Sequence, residues 1–263
     1  MIGLGTYAFF WQHSDRAPEP LDLAAMLART REFGVDLFQI CDYTPLLGFS
    51  AAQLRSLRAT ATDLGIALEL GTRGVAVEHL ETFLGLANTL GARLVRSMLY
   101  TPTSRPSGAE AERMLRTTLP AYEAAGVTLA LETYEQVPST DLIDLVEIIG
   151  SNHLGICLDP ANTVAGLENP RQVVERCAPY TKNLHIKDFA FSRQDGWVGF
   201  TLAGAELGTG LLDYEHERRT VDPEARDING IVEHWLPWQG SFAETAAREN
   251  AWTASALTYI EEH

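Results

Sequence analysis

The chain has 263 residues, of which 46% are hydrophobic and 21% charged, a globular composition that excludes general disorder. Its net charge of −15 repels nucleic-acid phosphates and anionic membranes, and no Lys/Arg run offers a local exception. Cys41, Cys157 and Cys177 form no CxxC pair and are read as reduced core thiols of a cytoplasmic protein.

The amino-terminal MIGLGTYAFF lacks a basic region and a small-residue cleavage site, so it is read as a first strand. No apolar stretch approaches the roughly 20 residues of a membrane span. Eight short apolar runs follow one another along the chain. They are Ile2–Gly5, Leu37–Ile40, Ala67–Leu70, Leu94–Ser97, Thr128–Leu131, Gly155–Leu158, Asn183–Ile186 and Ile231–Val232. Between them lie amphipathic segments, Leu21–Phe33, Ala51–Leu64, Val77–Leu90, Ala109–Ala125, Asp141–Ile149 and Pro170–Cys177. Gly34, Gly65, Gly91, Gly126 and Gly150 stand where helix C-caps are wanted.

Strand starts recur at roughly 30 residues, one βα unit each, which predicts a single (β/α)8 TIM barrel in one domain over residues 1–263. An open doubly wound sheet is disfavoured because aromatic residues, not a glycine-rich phosphate turn, follow the first strand. The interval from His185 to Glu233 is longer than the others. Its glycines and aromatics suggest a functional lid, and YEHERRTVDPEARDING should contain a poorly amphipathic seventh helix.

Chemistry in such barrels gathers at the C-terminal ends of the strands. Strand five ends in Glu132, strand six in Asp159, strand seven in His185 and strand eight in Glu233. Read alone, each has an ordinary explanation: Asp159 before Pro160 suits a helix N-cap, and a single histidine suits a core position. Read together, three carboxylates on one rim would repel unless a cation neutralised them. Three oxygen donors and one imidazole predict one divalent metal ion, Mn²⁺ before Mg²⁺, Co²⁺ or Zn²⁺.

Glu132, Asp159, His185 and Glu233 lie in the segments LALET, LDPAN, HIKDF and IVE, with the turn LGTGLLD at Gly208–Asp213. In these segments the chain resembles the xylose-isomerase-like barrel superfamily, the sugar phosphate isomerase/epimerase group. The resemblance implies the same four metal ligands, with Glu132 and Glu233 also acting as an acid/base pair on opposite faces of a substrate. The chain departs from the ketose-epimerase type at Asn162, where many relatives have histidine, and at Phe191, where they have arginine, with Arg193 nearby. Those departures put the substrate in doubt, not the metal.

The expected chemistry is proton abstraction beside a carbonyl through a metal-stabilised enediolate, giving isomerisation or epimerisation of a sugar or sugar acid. Loss of a β-hydroxyl would instead give a dehydratase of a keto-polyol or cyclic keto acid, and a non-catalytic metal-bound barrel subunit is the third alternative. An apurinic-site endonuclease is disfavoured by the charge and by seven scattered histidines. Lys187, two residues after His185, points the same way and is a candidate for proton transfer or substrate contact. Arg73, Arg96, Asn162, Arg193 and Trp11 are candidate contacts to a small polyhydroxylated or anionic substrate. Glu69 and Glu135 are read as further rim acids beside the ligands. Phe9, Phe10, Trp197, Phe200, Trp235 and Trp238 are read as pocket walls or packing, and a homo-oligomer is compatible with all of this.

Overall fold

The computed structural model describes residues 1–263. Its barrel strands are β1 (Ile2–Gly5), β2 (Leu37–Cys41), β3 (Ala67–Arg73), β4 (Leu94–Met98), β5 (Thr128–Glu132), β6 (Leu154–Leu158), β7 (Thr181–Ile186) and β10 (Asn229–Val232). They close in the order β1-β10-β7-β6-β5-β4-β3-β2, and every neighbouring pair is parallel. Eight parallel strands alternating with helices therefore form the (β/α)8 barrel that the spacing predicts.

The helices are α1 (Leu23–Glu32), α2 (Ala51–Asp63), α3 (Val77–Leu90), α4 (Gly108–Ala125), α5 (Ser139–Ile149), α6 (Pro160–Thr163), α7 (Pro170–Cys177), α8 (Tyr214–Val221) and α9 (Phe242–Glu262). Ser50 and Ser107 start α2 and α4 with capping boxes closed by Gln53 and Glu110. Gly91, Gly126 and Gly150 end α3, α4 and α5 in the left-handed conformation that a side chain would resist. No helix is long and apolar enough to cross a membrane.

Two regions differ from the sequence expectation. The long interval after His185 is not an irregular loop but an antiparallel hairpin, β8 (Phe189–Arg193) with β9 (Phe200–Gly204). Phe191, Trp197 and Phe200 face outward on it. The helix after the eighth barrel strand, for which no segment was singled out, is α9, and it runs for 21 residues. Its buried Glu249 accepts hydrogen bonds from the Trp11 and Gln12 backbone N–H groups, tying down the segment after β1.

The glycine turn that follows the hairpin is organised by a single carboxylate. Asp188 accepts N–H donors from Phe189, Gly208, Gly210 and Leu212, folding LGTGLLD back against the end of β7. A Cβ on Gly210 would stand 2.3 Å from Asp188 Oδ1 and 2.4 Å from the Phe189 carbonyl oxygen, so only glycine admits this approach. Gly210→Ala is accordingly expected to lower unfolding free energy by roughly 1–3 kcal/mol. Chemical denaturation of the two proteins side by side checks this, and equal midpoints would show that the turn yields freely.

Candidate active site

Strand register brings the four predicted ligands to one end of the barrel. Glu132 is the last residue of β5, Asp159 follows β6 directly, His185 lies near the end of β7 and Glu233 follows β10. His185 Nδ1 stands 3.7 Å from Glu132 Oε1, 3.7 Å from Asp159 Oδ2 and 3.4 Å from Glu233 Oε2. All four side chains are buried.

Glu132 Oε2, Asp159 Oδ2, Glu233 Oε1 and His185 Nδ1 are each buried without a properly directed hydrogen-bond partner. Glu132 Oε2 and Asp159 Oδ2 meet Arg96 and Lys187 in ion pairs, but Glu233 Oε1 and His185 Nδ1 are left over, and a cation among the four would complete them, because an unsatisfied buried acceptor otherwise costs free energy. Asp159, His185 and Glu233 also present ligand atoms within 4.8 Å of one another. The donor set therefore fits a divalent ion. Asp159 serves two roles at once: Oδ1 caps α6 through the Asn162 N–H, while Oδ2 faces the cluster.

Two cations share the space. Lys187 Nζ lies 2.7 Å from Asp159 Oδ2, 3.3 Å from Glu233 Oε2 and 4.4 Å from the Trp235 ring centre. Arg96 Nε rests against Glu132 Oε2, and its Nη1 reaches the Thr72 carbonyl oxygen and Asp42. Burial raises the Glu233 pKa, but His185, Lys187 and Arg96 outweigh it and hold the group well below the usual carboxylate range. Burial likewise opposes charge on Lys187, and Asp159 and Glu233 reverse that, keeping its ammonium form.

Other predicted contacts are placed differently. The Asn162 amide donates to Glu132 Oε1 at 2.7 Å and to the Thr133 carbonyl oxygen, holding that carboxylate in place. Arg96 is buried and committed to the ion pairs above. Arg193 lies on the exposed hairpin, 4.7 Å from the Trp197 ring and 4.6 Å from that of Phe200, because those rings offer the guanidinium its contacts. Trp11 donates its indole N–H to the Leu236 carbonyl oxygen and meets Trp238 edge-on, linking the segments after β1 and β10.

Arg73 does line a cavity, of about 430 Å³, with Tyr7, Asp42, Thr44 and Thr72 among its walls. Its Nε and Nη2 bond Asp42 Oδ2 at 3.0 and 2.8 Å, and Nη2 also donates to the Tyr7 hydroxyl oxygen. Asp42 joins this cavity to the ligands, since it pairs with both Arg73 and Arg96. Glu135 is exposed, and Glu69 is not on the rim at all but inside the barrel.

Three participants carried no mark in the motifs. Cys157 Sγ comes within ligand distance of Glu132 and His185 as a second possible trio. It stands two residues before Asp159 and so shares its side of the strand, the one signal by which it could have been found. Asp42 follows β2 in the left-handed region with φ 53°, and Gln39 is a lone polar residue in the otherwise apolar LFQIC.

The Xylose isomerase-like TIM barrel model matches residues 3–260. The chain belongs to that family. It is 54% identical over 259 residues to 3-oxo-isoapionate decarboxylase of Pectobacterium atrosepticum, covering 98% of this chain and 94% of that one. D-psicose 3-epimerase, crystallised in the presence of D-fructose, superposes with a TM-score of 0.75 at 14% identity over 98% of this chain and 97% of its own. A xylose isomerase-like TIM barrel protein from Mycobacterium smegmatis in complex with magnesium gives 0.71 at 20% identity, over 97% and 95%. At such low identity the two structures show the shared fold alone.

Elemental analysis of the purified protein is expected to find about one divalent ion per chain, lost in Asp159→Ala and in His185→Ala. Metal retained at the wild-type level in both variants would move the ion elsewhere.

Proposed function

We propose that the chain is a metal-dependent decarboxylase of a small 3-oxo sugar acid, of the kind that its Pectobacterium relative is named for. The observation that carries this reading is that relative's 54% identity over nearly all of both chains. A 3-oxo acid has its ketone β to the carboxylate. Cleavage of the bond from the carboxyl carbon to C2 releases CO₂ and leaves the electron pair in an enolate, and a proton must then be added at C2. The isomerase or epimerase expected from sequence would pass through the same kind of enolate but form it by losing a proton. The bond broken, not the site, separates the readings.

When bound, a divalent ion supplies the positive charge that stabilises the enolate oxygen. The chain's own groups do the rest. Lys187, an ammonium held between Asp159 and Glu233, has protons to give to the carbon that lost CO₂. Glu132 and Glu233, 3.7 and 3.4 Å from His185 Nδ1, would hold or return protons to the substrate. Arg73, made rigid by Asp42 and Tyr7, offers a carboxylate or hydroxyl partner in the adjoining cavity. Such a pocket suits a small, anionic, polyhydroxylated substrate.

With Mn²⁺ or Mg²⁺ present, the protein is expected to release one CO₂ per molecule of 3-oxo-isoapionate consumed, followed by trapping of the gas and by NMR of the product. Glu132→Gln and Glu233→Gln should each cut turnover by roughly 10²–10⁴-fold. Epimerised or isomerised ketose without gas release would return the chain to the isomerase reading. Near-normal turnover in both variants would sink the assigned proton chemistry.

A further inference from the structure

Beneath the ligand cluster a second layer of polar side chains crosses the barrel, where branched apolar residues usually pack. Gln39 of β2, Glu69 of β3 and Asn183 of β7 are buried there, and Asn229 of β10 joins them from the N-terminal end. Their amides converge on one carboxylate. Glu69 Oε2 accepts from Gln39 Nε2 and from Asn183 Nδ2, each at 3.1 Å, and Oε1 accepts from Asn229 Nδ2 at 2.7 Å. Gln39 Nε2 also donates to Asn183 Oδ1 at 3.1 Å, and Gln39 Oε1 lies 2.9 Å from His185 Nε2.

The direction of these bonds is dictated from the bottom up. A carboxylate only accepts, so Glu69 draws the NH₂ end of Gln39 toward itself. The oxygen end of that amide is then left facing His185. An amide oxygen also only accepts, so a His185 proton belongs on Nε2, and when a cation displaces the proton on the other nitrogen it is the Nδ1 lone pair, among Glu132, Asp159 and Glu233, that would meet it. We propose that Glu69, acting through Gln39, sets the tautomer of His185 and thereby the metal affinity of the site. Both are positioning residues, since neither touches the ligand atoms of the cluster.

A neutral amide at position 69 would remove the directionality while keeping the volume. Gln39 could then turn over, present NH₂ to Nε2 and drive the histidine proton to Nδ1, where it competes with the metal. Replacing Gln39 by methionine would remove the acceptor itself without touching the Glu69 charge.

The test measures Mn²⁺ binding by titration calorimetry on the full chain, as wild type, Glu69→Gln and Gln39→Met. It adds the visible spectrum of the Co²⁺-loaded proteins and the melting temperature without metal. Both variants are expected to bind Mn²⁺ roughly 10- to 100-fold more weakly and to shift the Co²⁺ bands. Wild-type affinity and an unchanged Co²⁺ spectrum in Glu69→Gln would overturn the proposal, as would a lowered melting temperature with unchanged affinity, which marks a purely structural layer. Should Glu69→Gln not fold, Gln39→Met decides alone, and unchanged Mn²⁺ affinity there overturns it equally. None of these readouts depends on the substrate.

Discussion

Three carboxylates buried at one end of a barrel must be neutralised, and the surrounding structure is arranged around that constraint. Glu132, Asp159 and Glu233 are almost wholly removed from water, so each would reprotonate or repel the others unless positive charge stood among them. Lys187 and Arg96 supply part of it, and each is held by more than one acceptor. Part of the Arg96 charge is spent on Asp42, so it does not fully answer Glu132. The remaining deficit, together with the unpartnered Glu233 Oε1 and His185 Nδ1, is what a divalent ion would meet. The same concentration of charge makes the site able to stabilise an anion developing on a substrate, since the field is already organised before reaction.

A further acid near the cluster avoids the problem by another route. Glu217 of α8 is completely buried with both carboxylate oxygens unpaired. Burial, and then the nearby charge of Asp159, push its pKa well above the ordinary value, which favours its uncharged form. Its presence, with the buried His216 beside it, also explains why α8 reads as poorly amphipathic: two polar residues occupy the face that packs inward.

The barrel was legible because its signals are periodic and local. Apolar runs and glycine C-caps each mark an element without reference to the rest of the chain. The four ligand positions were legible for a related reason, since a strand that ends in an acid or histidine announces itself once the strand is found. The hairpin after β7 was not, because Phe189–Arg193 pairs with Phe200–Gly204 through residues that neither alternate cleanly nor bury a face. Asn162, Arg96 and Arg193 show the limit most directly. Position near a strand end says that a side chain reaches the mouth, but whether it meets a substrate or a ligand depends on partners 30 or more residues away, such as Glu132 for Asn162.

The choice of reaction follows the same logic. A site that stabilises an enolate does not by itself determine whether the enolate forms by loss of a proton or of CO₂. Proton abstraction needs a base that is free to accept. Here Glu132 is engaged by Arg96 and Asn162, and Glu233 by Lys187. Each would have to exchange one of those partners before it accepted a proton. Decarboxylation asks for no base at all, only for a place to put the electron pair and a donor to protonate the carbon afterward; in the proposed reading the Lys187 ammonium between two carboxylates would be that donor.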